Sequence, residues 1–335
     1  MIEVLVELSG EAPELGVAEA SAAAEALGGR LIPLPVVSEA SPLRRIELPS
    51  ADAVAGYASR LALARRVLVP LEPGMDASAA LARAGASGGT GAVRRLGRPR
   101  SGSTDSGVLA AGQAFTSGGG RVDLEAPERR FWLIQDPDGT DRAAEEVAPV
   151  DRRSSALRRM PNLPFQRPVS LPPTLARAAA NLARIRPGAA VLDPFLGTGA
   201  LLAEAGLLGA RLYGVDRDPA MVRGALRNLA HFGLHAEEIV EGDAGAVEFS
   251  DPEARFDALL SDPPYGRSSG TGGEAARSAV ERVVPRWSDR VRRGGRVVLV
   301  LPGGYDPLGP PWRERLRVPV RVHRSLTREF RVYER

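Results

Sequence analysis

The sequence contains no cysteine, no lysine and only three histidines. Without cysteine, disulfides, thiolate catalysis and cysteine-ligated zinc are excluded, and with three histidines we predict no metal site. No run of eighteen apolar residues occurs, and no basic segment precedes a long apolar core near residue 1. We therefore expect no transmembrane helix, no signal peptide and a cytoplasmic location.

Because lysine is absent, all 44 cationic residues are arginine, and the net charge is +3 with a sequence pI of about 9.7. A compositional bias towards arginine and alanine accounts for most of this excess. Arginine also binds phosphates in a bidentate manner, so clusters of it are candidates for a nucleic-acid surface. Two clusters stand out, and although each alone is more typical of a solvated face, together they favour an RNA surface: Arg94, Arg95, Arg98 and Arg100, and Arg152, Arg153, Arg158 and Arg159.

The length of 335 residues predicts two or three domains. Strand and helix patterns alternate in the first 70 residues, whereas residues 84–120 are rich in glycine, serine and arginine with weak periodicity. From Ser170, which can cap a helix, strand and helix patterns alternate regularly to the end of the chain. Such alternation predicts a mostly parallel sheet with crossover helices.

The stretch "VLDPFLGTGALL" places a glycine turn between a buried strand and a helix. Gly197 and Gly199 allow the backbone to approach a ligand, Thr198 can bond it, and Asp193 ends the strand. A strand-to-helix turn also carries glycine for purely steric reasons, so this signal is weak alone. The G-x-G-x-x-G fingerprint is missing, which argues against a nicotinamide cofactor.

Two further acidic residues follow probable strands of the same sheet. Asp216 lies 23 residues after Asp193, a position that suits the ribose hydroxyls of a nucleoside cofactor. Asp216 could instead cap a helix, but Asp218 followed by Pro219 makes the better cap. Asp243 could accept a hydrogen bond from an adenine amine or cap a turn, and the sequence leaves both open.

The stretch "SDPPYG" ends a probable fourth strand with a carboxylate, two stiff prolines and an aromatic ring. An exocyclic base amine is a poor nucleophile, and hydrogen bonds to Asp262 and the Pro263 carbonyl would aim its lone pair. Tyr265 can stack on the base, and the prolines hold this geometry. The alternative is a proline-rich strand exit with a surface tyrosine. The glycine-rich segment that follows could close over the base.

The last two strand-like runs, "VPVRVH" and "EFRVYE", predict a hairpin whose final strand is antiparallel to the rest of the sheet. The hairpin loop then falls on the same sheet edge as Asp262. Its polar residues could border a substrate pocket or form a loop without a ligand: His323, Ser325, Thr327 and Arg328.

The motifs at Asp193–Gly199, Asp216, Asp243 and Asp262–Tyr265 together resemble amino-group methyltransferases that use S-adenosylmethionine. The chain is most similar to the archaeal tRNA guanine-10 N2-methyltransferase family, and the similarity covers almost all of the C-terminal half. Leu196 stands where many relatives have cysteine. The run "VDLEAPERRFWLI" resembles the end of a THUMP domain, whereas residues 84–120 match poorly.

The resemblance implies an α/β fold: a Rossmann-like methyltransferase with a seven-stranded, mostly parallel sheet, preceded by α+β regions. It implies a ferredoxin-like region at 1–52, a THUMP-like tRNA-binding domain at 53–148, a linker at 149–168 and the methyltransferase domain at 169–335. The implied catalytic residues are Asp262, Pro263, Pro264 and Tyr265. The implied cofactor-binding residues are Asp193, Phe195, Gly197, Thr198, Gly199, Asp216, Asp243 and Ala244. The implied substrate-binding residues are Arg267, His323, Ser325, Thr327 and Arg328.

The resemblance also implies the function: transfer of one or two methyl groups from S-adenosylmethionine to the N2 amine of a guanine in tRNA. We expect a monomer with tRNA as its partner and no membrane association. A DNA adenine or cytosine amino-methyltransferase shares Asp-Pro-Pro-Tyr and is one alternative. A non-catalytic RNA-binding protein with a vestigial methyltransferase fold is another. The sequence leaves the target nucleotide and the number of methyl groups open.

Overall fold

The computed structural model describes residues 1–33, 42–97, 105–136, 138–150, 158, 162–167, 170–264, 273–303, 306–323 and 326–335. Within some of these segments the side chains of residues 148, 149, 273–276, 323 and 326 lie outside the description. The chain divides into two compact units. The first comprises Met1–Leu8, Gly28–Ser59 and Ala64–Val150, and the second comprises Ser9–Leu27, Arg60–Leu63 and Asp151–Arg335.

The first unit is built on an eight-stranded sheet with the strand order β2-β3-β1-β4-β8-β7-β5-β6. Its strands are β1 (Ile2–Leu8), β2 (Arg30–Ile32), β3 (Leu43–Leu48), β4 (Ala64–Pro70), β5 (Thr90–Arg95), β6 (Arg121–Val122), β7 (Arg129–Gln135) and β8 (Asp141–Pro149). Its helices are α2 (Ala51–Arg60, of which Arg60 belongs to the second unit), α3 (Ala77–Gly85) and α4 (Ser106–Ser117). Most strand pairs are antiparallel, whereas β5 runs parallel to both β6 and β7.

The segment with weak periodicity contains regular structure, namely β5 and α4, on either side of residues 98–104, which lie outside the description. Helices α3 and α4 approach closely because Gly118 has no side chain: a Cβ there would lie 2.0 Å from the Ala82 carbonyl oxygen. Phe115 of α4 and Phe131 of β7 are fully buried and pack at 5.2 Å between ring centroids. Small residues and one aromatic pair therefore order a segment that lacks a clear hydrophobic period.

Arg95, one of the arginines considered for a nucleic-acid surface, is bound inside the first unit. Its guanidinium bonds both carboxylate oxygens of Asp141, at 2.6 and 2.8 Å, and it also forms an ion pair with Asp105. These bonds raise the pKa of Arg95 and lower the pKa of Asp105 to about 2. Arg94, which precedes it, is exposed. Arg98 and Arg100 lie outside the described residues.

The second unit is built on a seven-stranded sheet with the order β11-β10-β9-β12-β13-β15-β14. Its strands are β9 (Ala190–Asp193), β10 (Arg211–Asp216), β11 (Glu238–Glu241), β12 (Phe256–Ser261), β13 (Val291–Leu301), β14 (Arg313–His323) and β15 (Leu326–Glu334). Its helices are α1 (Pro13–Ala26), α5 (Pro173–Leu182), α6 (Ala200–Gly206), α7 (Pro219–His231) and α8 (Gly273–Ser288). Strands β9 to β13 are parallel, and β15 is antiparallel to both neighbours. The predicted Rossmann-like sheet with a final antiparallel strand is confirmed.

The central strand explains why this sheet is parallel. All four residues of β9 are buried, since helices and side-chain clusters cover both faces of the sheet. A strand buried on both faces reads as a continuous apolar run, as "AVL" does here. The carboxyl ends of the parallel strands meet at one edge, where a ligand site of this fold is built.

Helix α1 belongs to the second unit although it lies near the N-terminus. Leu15 is fully buried in the same core cluster as α5. The buried Glu19 accepts hydrogen bonds from the backbone N–H groups of Ala62 and Leu63, at 2.9 and 2.8 Å, and from Asn181 at 2.8 Å. Burial raises the pKa of Glu19. These bonds anchor α1 in the unit that carries the candidate site.

In the part of the chain that is described, no helix combines the length and the hydropathy needed to cross a membrane.

Candidate active site

Acidic residues from four neighbouring strands meet at the carboxyl edge of the second unit's sheet. Asp193 and Asp216 end β9 and β10, whereas Asp243 and Asp262 follow β11 and β12. They border one cavity of about 460 Å³. The predicted site residues that line it are Asp193, Phe195, Gly197, Thr198, Asp216, Asp243, Ala244, Asp262 and Pro264.

The glycine turn after β9 is held to β10 by a carboxylate. Gly197 and Gly199 have φ values of +52° and +79°, a left-handed conformation that favours glycine. The Gly197 N–H donates to Asp216 Oδ2 at 2.7 Å, and the Asp218 N–H donates to Asp216 Oδ1 at 2.9 Å. Each oxygen keeps a lone pair for a ligand hydroxyl. Burial raises the pKa of Asp216.

Gly199, unlike Gly197, lies at a contact between two helices. It is the N-cap residue of α6, and a Cβ there would lie 3.1 Å from the Ala225 side chain of α7. It is not among the described residues that line the cavity. Asp218 caps α7 through a 2.7 Å bond from the Ala220 N–H, as the sequence indicated. Gly199 therefore allows α6 and α7 to pack closely behind the cavity wall.

Asp193 is 2% exposed and is the most deeply buried acid at the cavity. Its Oδ1 accepts hydrogen bonds from the Ser261 hydroxyl at 2.6 Å and from the Phe195 N–H at 3.0 Å. Burial raises the pKa of Asp193 to about 7, and the nearby charges of Asp262 and Asp216 act in the same direction. A buried carboxylate in this state favours a cationic ligand group, because that group would compensate the charge that burial disfavours.

Asp243 is bound by a side chain that the sequence reasoning did not identify. The Arg282 Nη2 atom of α8 donates to both of its oxygens, at 3.0 and 2.9 Å, and the Gly245 N–H donates to Oδ1 at 2.8 Å. These bonds lower the pKa of Asp243, the bond from Gly245 contributing most. Next to it, the Ala244 carbonyl accepts a 2.8 Å bond from the buried Trp287 indole. Nothing distinguishes Arg282 in the sequence from the other arginines.

Asp262 is oriented by a buried ion pair. Arg328 Nη1 donates to Asp262 Oδ2 at 2.8 Å, and the two side chains are only 7% and 16% exposed. Arg328 reaches this position because β15 is antiparallel to β13 and begins where β13 ends, with Leu301 paired to Glu329. The adjacent Pro263 is buried, whereas Pro264 is exposed and lines the cavity. The hairpin therefore contributes a cation to the Asp262 carboxylate.

The remaining predicted residues fall into two groups. Thr327 is exposed and pairs with Arg321 in the hairpin. Tyr265, Arg267, Ser325 and the side chain of His323 lie outside the described residues. Their predicted roles stay predictions.

Two serines act at this edge in ways that sequence reasoning missed. Ser261 is fully buried and joins the Asp193 carboxylate to the segment that carries Asp262. Ser170 was predicted to cap a helix, and this is wrong: α5 begins at Pro173, with Pro172 as its N-cap residue. The Ser170 hydroxyl instead lies 3.0 Å from that of Thr198. Two prolines at the helix start explain the difference, because proline is favoured in the first turn.

Comparison with known proteins shows which proteins the second unit resembles. Residues 162–307 match the family model of the UPF0020, RMKL-like, methyltransferase domain. The tRNA (guanine(10)-N2)-dimethyltransferase of Methanothermobacter thermautotrophicus is 35% identical over 220 residues, which are 64% of this chain and 64% of that protein. The match therefore spans somewhat less than two thirds of that relative's length. The crystal structure of TrmN from Thermus thermophilus has the same fold, with a TM-score of 0.51, 22% identity and 99% of each chain covered.

A second relative covers nearly its whole length. The probable tRNA (guanine(10)-N2)-dimethyltransferase of Methanothermococcus thermolithotrophicus is 32% identical over 166 residues, which are 48% of this chain and 98% of that protein. Both relatives are named as tRNA (guanine(10)-N2)-dimethyltransferases. The chain therefore belongs to the tRNA (guanine-10, N2) methyltransferase family.

Proposed function

We propose that this protein transfers methyl groups from S-adenosylmethionine to the exocyclic N2 amine of a guanine in tRNA, namely guanine 10. The observation that carries the proposal is the placement of Asp262 at the cavity wall, with one carboxylate oxygen held by the buried Arg328. Family membership and the acids around the same cavity support it.

The cavity suits S-adenosylmethionine in charge and in size. Its volume of about 460 Å³ lies within the usual range for small-molecule sites. The buried Asp193 would compensate the positive charge of the methionine part, and Asp216 would accept bonds from ribose hydroxyls. Phe195, Ala244 and Val283 offer apolar contacts to the adenine. When bound, the cofactor supplies a methyl group on positively charged sulfur.

Asp262 and its neighbours would position the guanine amine for attack on this methyl group. Arg328 holds Oδ2 and so orients the carboxylate, which can accept one amine N–H through a remaining lone pair, while the Pro263 carbonyl can accept the other. These bonds draw the nitrogen lone pair out of conjugation with the ring and aim it. The aimed lone pair would take the methyl group that the bound cofactor supplies. Asp262 then accepts the excess proton from nitrogen and releases it to water.

We divide the chain into a ferredoxin-like region at 1–52, a THUMP-like domain at 53–148, a linker at 149–168 and the methyltransferase domain at 169–335. The regions before the methyltransferase domain are proposed to bind the tRNA. Tyr265 would stack on the target base, while Arg267, His323, Ser325 and Thr327 would border it. The protein would act as a cytoplasmic monomer.

The test is methyl transfer to unmodified tRNA and to duplex DNA, followed by mass spectrometry of the nucleosides. We expect N2-methylguanosine or N2,N2-dimethylguanosine from tRNA and no product from DNA. Asp262→Ala should lower kcat by at least about 10²-fold, as expected for a residue that positions and deprotonates the nucleophile, with little change in tRNA affinity.

Asp289→Ala is the matched control, since the 75% exposed Asp289 lies two residues before β13, at the opposite sheet edge. It should leave kcat unchanged. A methylated adenine or cytosine in DNA would show the alternative activity. An Asp262→Ala variant with most of its turnover would contradict the mechanism.

A further inference from the structure

One side of the second unit carries arginines that form no ion pair with any acidic residue that the structure describes. Most arginines described in this unit form an ion pair with aspartate or glutamate. Four arginines, two at the cavity and two on α7, form no ion pair with any described residue. We call them the α7 arginine surface: Arg167, Arg217, Arg223 and Arg227.

Helix α7 forms the centre of this surface. Its sequence, "PAMVRGALRNLAH", contains no acidic residue, and Arg223 and Arg227 are both exposed. Residues four apart lie on the same helix face, about 5–6 Å apart at Cβ, so the two guanidinium groups extend from neighbouring turns. Arg217, just before the helix, and Arg167 both line the cavity. The positive charge is therefore continuous with the candidate active site.

A packed aromatic residue holds part of this surface in place. The Phe165 ring lies on Gly224 of α7, where a Cβ would come within 2.1 Å of it. Asn228 bonds both the N–H and the carbonyl of Phe165, each at 3.0 Å. The guanidinium carbons of Arg167 and Arg227 lie 5.2 and 5.9 Å from the centre of the Phe165 ring. Two cations thus share one ring, an arrangement that a bound anion would stabilise.

We propose that the α7 arginine surface binds backbone phosphates of the tRNA that flank the target guanine. This inference rests on the proposed function, because it is the tRNA strand entering the cavity that brings phosphates to its rim. Guanidinium groups bind phosphates in a bidentate manner, and such contacts position a nucleic acid without reading its sequence. The surface lies on the catalytic unit itself, so it would hold the strand at the point where the base is methylated.

The test compares two charge reversals in the full-length protein. Arg223→Glu combined with Arg227→Glu alters the surface. Arg293→Glu combined with Arg313→Glu is the matched control, since both arginines are exposed, form no ion pair with a described residue and lie near the starts of β13 and β14, at the opposite sheet edge. The dissociation constant of an unmodified tRNA transcript is measured by fluorescence anisotropy at several salt concentrations. Cofactor affinity is measured by calorimetry.

We expect the α7 variant to bind tRNA at least about tenfold more weakly than the control at low salt. Its slope of log affinity against log salt should be smaller by about 1.5, the value for two lost phosphate contacts. A milder variant, Arg223→Gln with Arg227→Gln, should show a smaller loss in the same direction. Cofactor affinity should be unchanged in all three, which also shows that the site is folded.

Equal tRNA affinity and salt slope in the α7 variant and the control would overturn the proposal. Binding is measured without methylation, so the two hypotheses can fail separately. A wild-type protein that binds tRNA through this surface but methylates no guanine would contradict only the proposed function. A wild-type protein that does not bind tRNA would contradict both.

Discussion

The two ends of the cavity hold their carboxylates in different ways. At the proposed cofactor end, Asp216 is bound by the backbone N–H groups of Gly197 and Asp218, which lie 19 and 2 residues from it in sequence. At the proposed amine end, Asp262 is bound by the side chain of Arg328, 66 residues further along the chain. A carboxylate held by the main chain keeps its partners when neighbouring side chains change. A carboxylate oriented by a distant side chain is sensitive to substitution of that residue, and the predictions below test this difference.

The largest effect is expected at the amine end. Arg328→Ala should lower kcat by about a hundredfold, because removing one partner of a buried ion pair costs several kcal/mol and frees the carboxylate to turn away from the amine. The Michaelis constant for tRNA should change little, and Arg328→Lys should recover part of the rate. Steady-state kinetics with both substrates measures this.

A raised Michaelis constant with normal kcat would instead mean that Arg328 contacts the tRNA directly, as the sequence-based assignment to substrate binding implies. Arg321→Ala is the control, since Arg321 is an exposed arginine on the neighbouring strand of the same hairpin.

At the cofactor end, Asp216→Ala should weaken S-adenosylmethionine binding by about thirtyfold, within the range for hydrogen bonds to a charged group. The loss combines the missing ribose contacts with release of the Gly197 turn. Calorimetry measures the affinity, with Glu241→Ala as an exposed control one strand away. Unchanged affinity in Asp216→Ala would place the cofactor elsewhere.

The buried Asp193 should make cofactor binding depend on pH. With a pKa of about 7, its carboxyl group is mostly protonated at pH 6 and mostly ionised at pH 8. A cationic ligand prefers the ionised form, so affinity should rise by about tenfold over this interval. Asp193→Asn should flatten the dependence, and a wild-type profile as flat as that of the variant would contradict the contact.

The same group should act on stability with the opposite sign. Its pKa is raised above the unfolded value of 3.8, so the folded protein binds more protons between pH 4 and pH 7. Its contribution to the free energy of unfolding should therefore decrease as pH rises through this window. Denaturant titrations of the wild type and Asp193→Asn at both ends of the window measure this contribution.

The smallest effect is expected at Arg282. Arg282→Ala should weaken cofactor binding by only about threefold, because its ion pair with Asp243 is about half exposed and such pairs contribute little. Asp243 keeps its bond from the Gly245 N–H in the variant. A loss of more than tenfold would show that Arg282 itself contacts the cofactor.

Sequence reasoning reached the features that depend on nearby residues. The glycine turn, the strand-to-helix alternation and the acids at strand ends are local patterns, and the order of a parallel sheet brings such ends together. It was less successful in β5 and α4, where the hydrophobic periodicity of the sequence is weak. It also failed at Ser170, because two prolines place the start of α5 at Pro173 instead.

By itself, the sequence determined the fold class and the positions of Asp193, Asp216, Asp243 and Asp262 at strand ends, because these follow from short-range spacing and strand periodicity. The family was indicated by the resemblance of its motifs. Only the tertiary structure decided which partner each carboxylate has: Ser261 for Asp193, Arg282 for Asp243 and Arg328 for Asp262. It also placed α1 in the second unit through Glu19. With 44 arginines in the chain, spacing along the sequence does not identify which of them lies beside a given acid. The folding of distant strands and helices onto one sheet makes that choice.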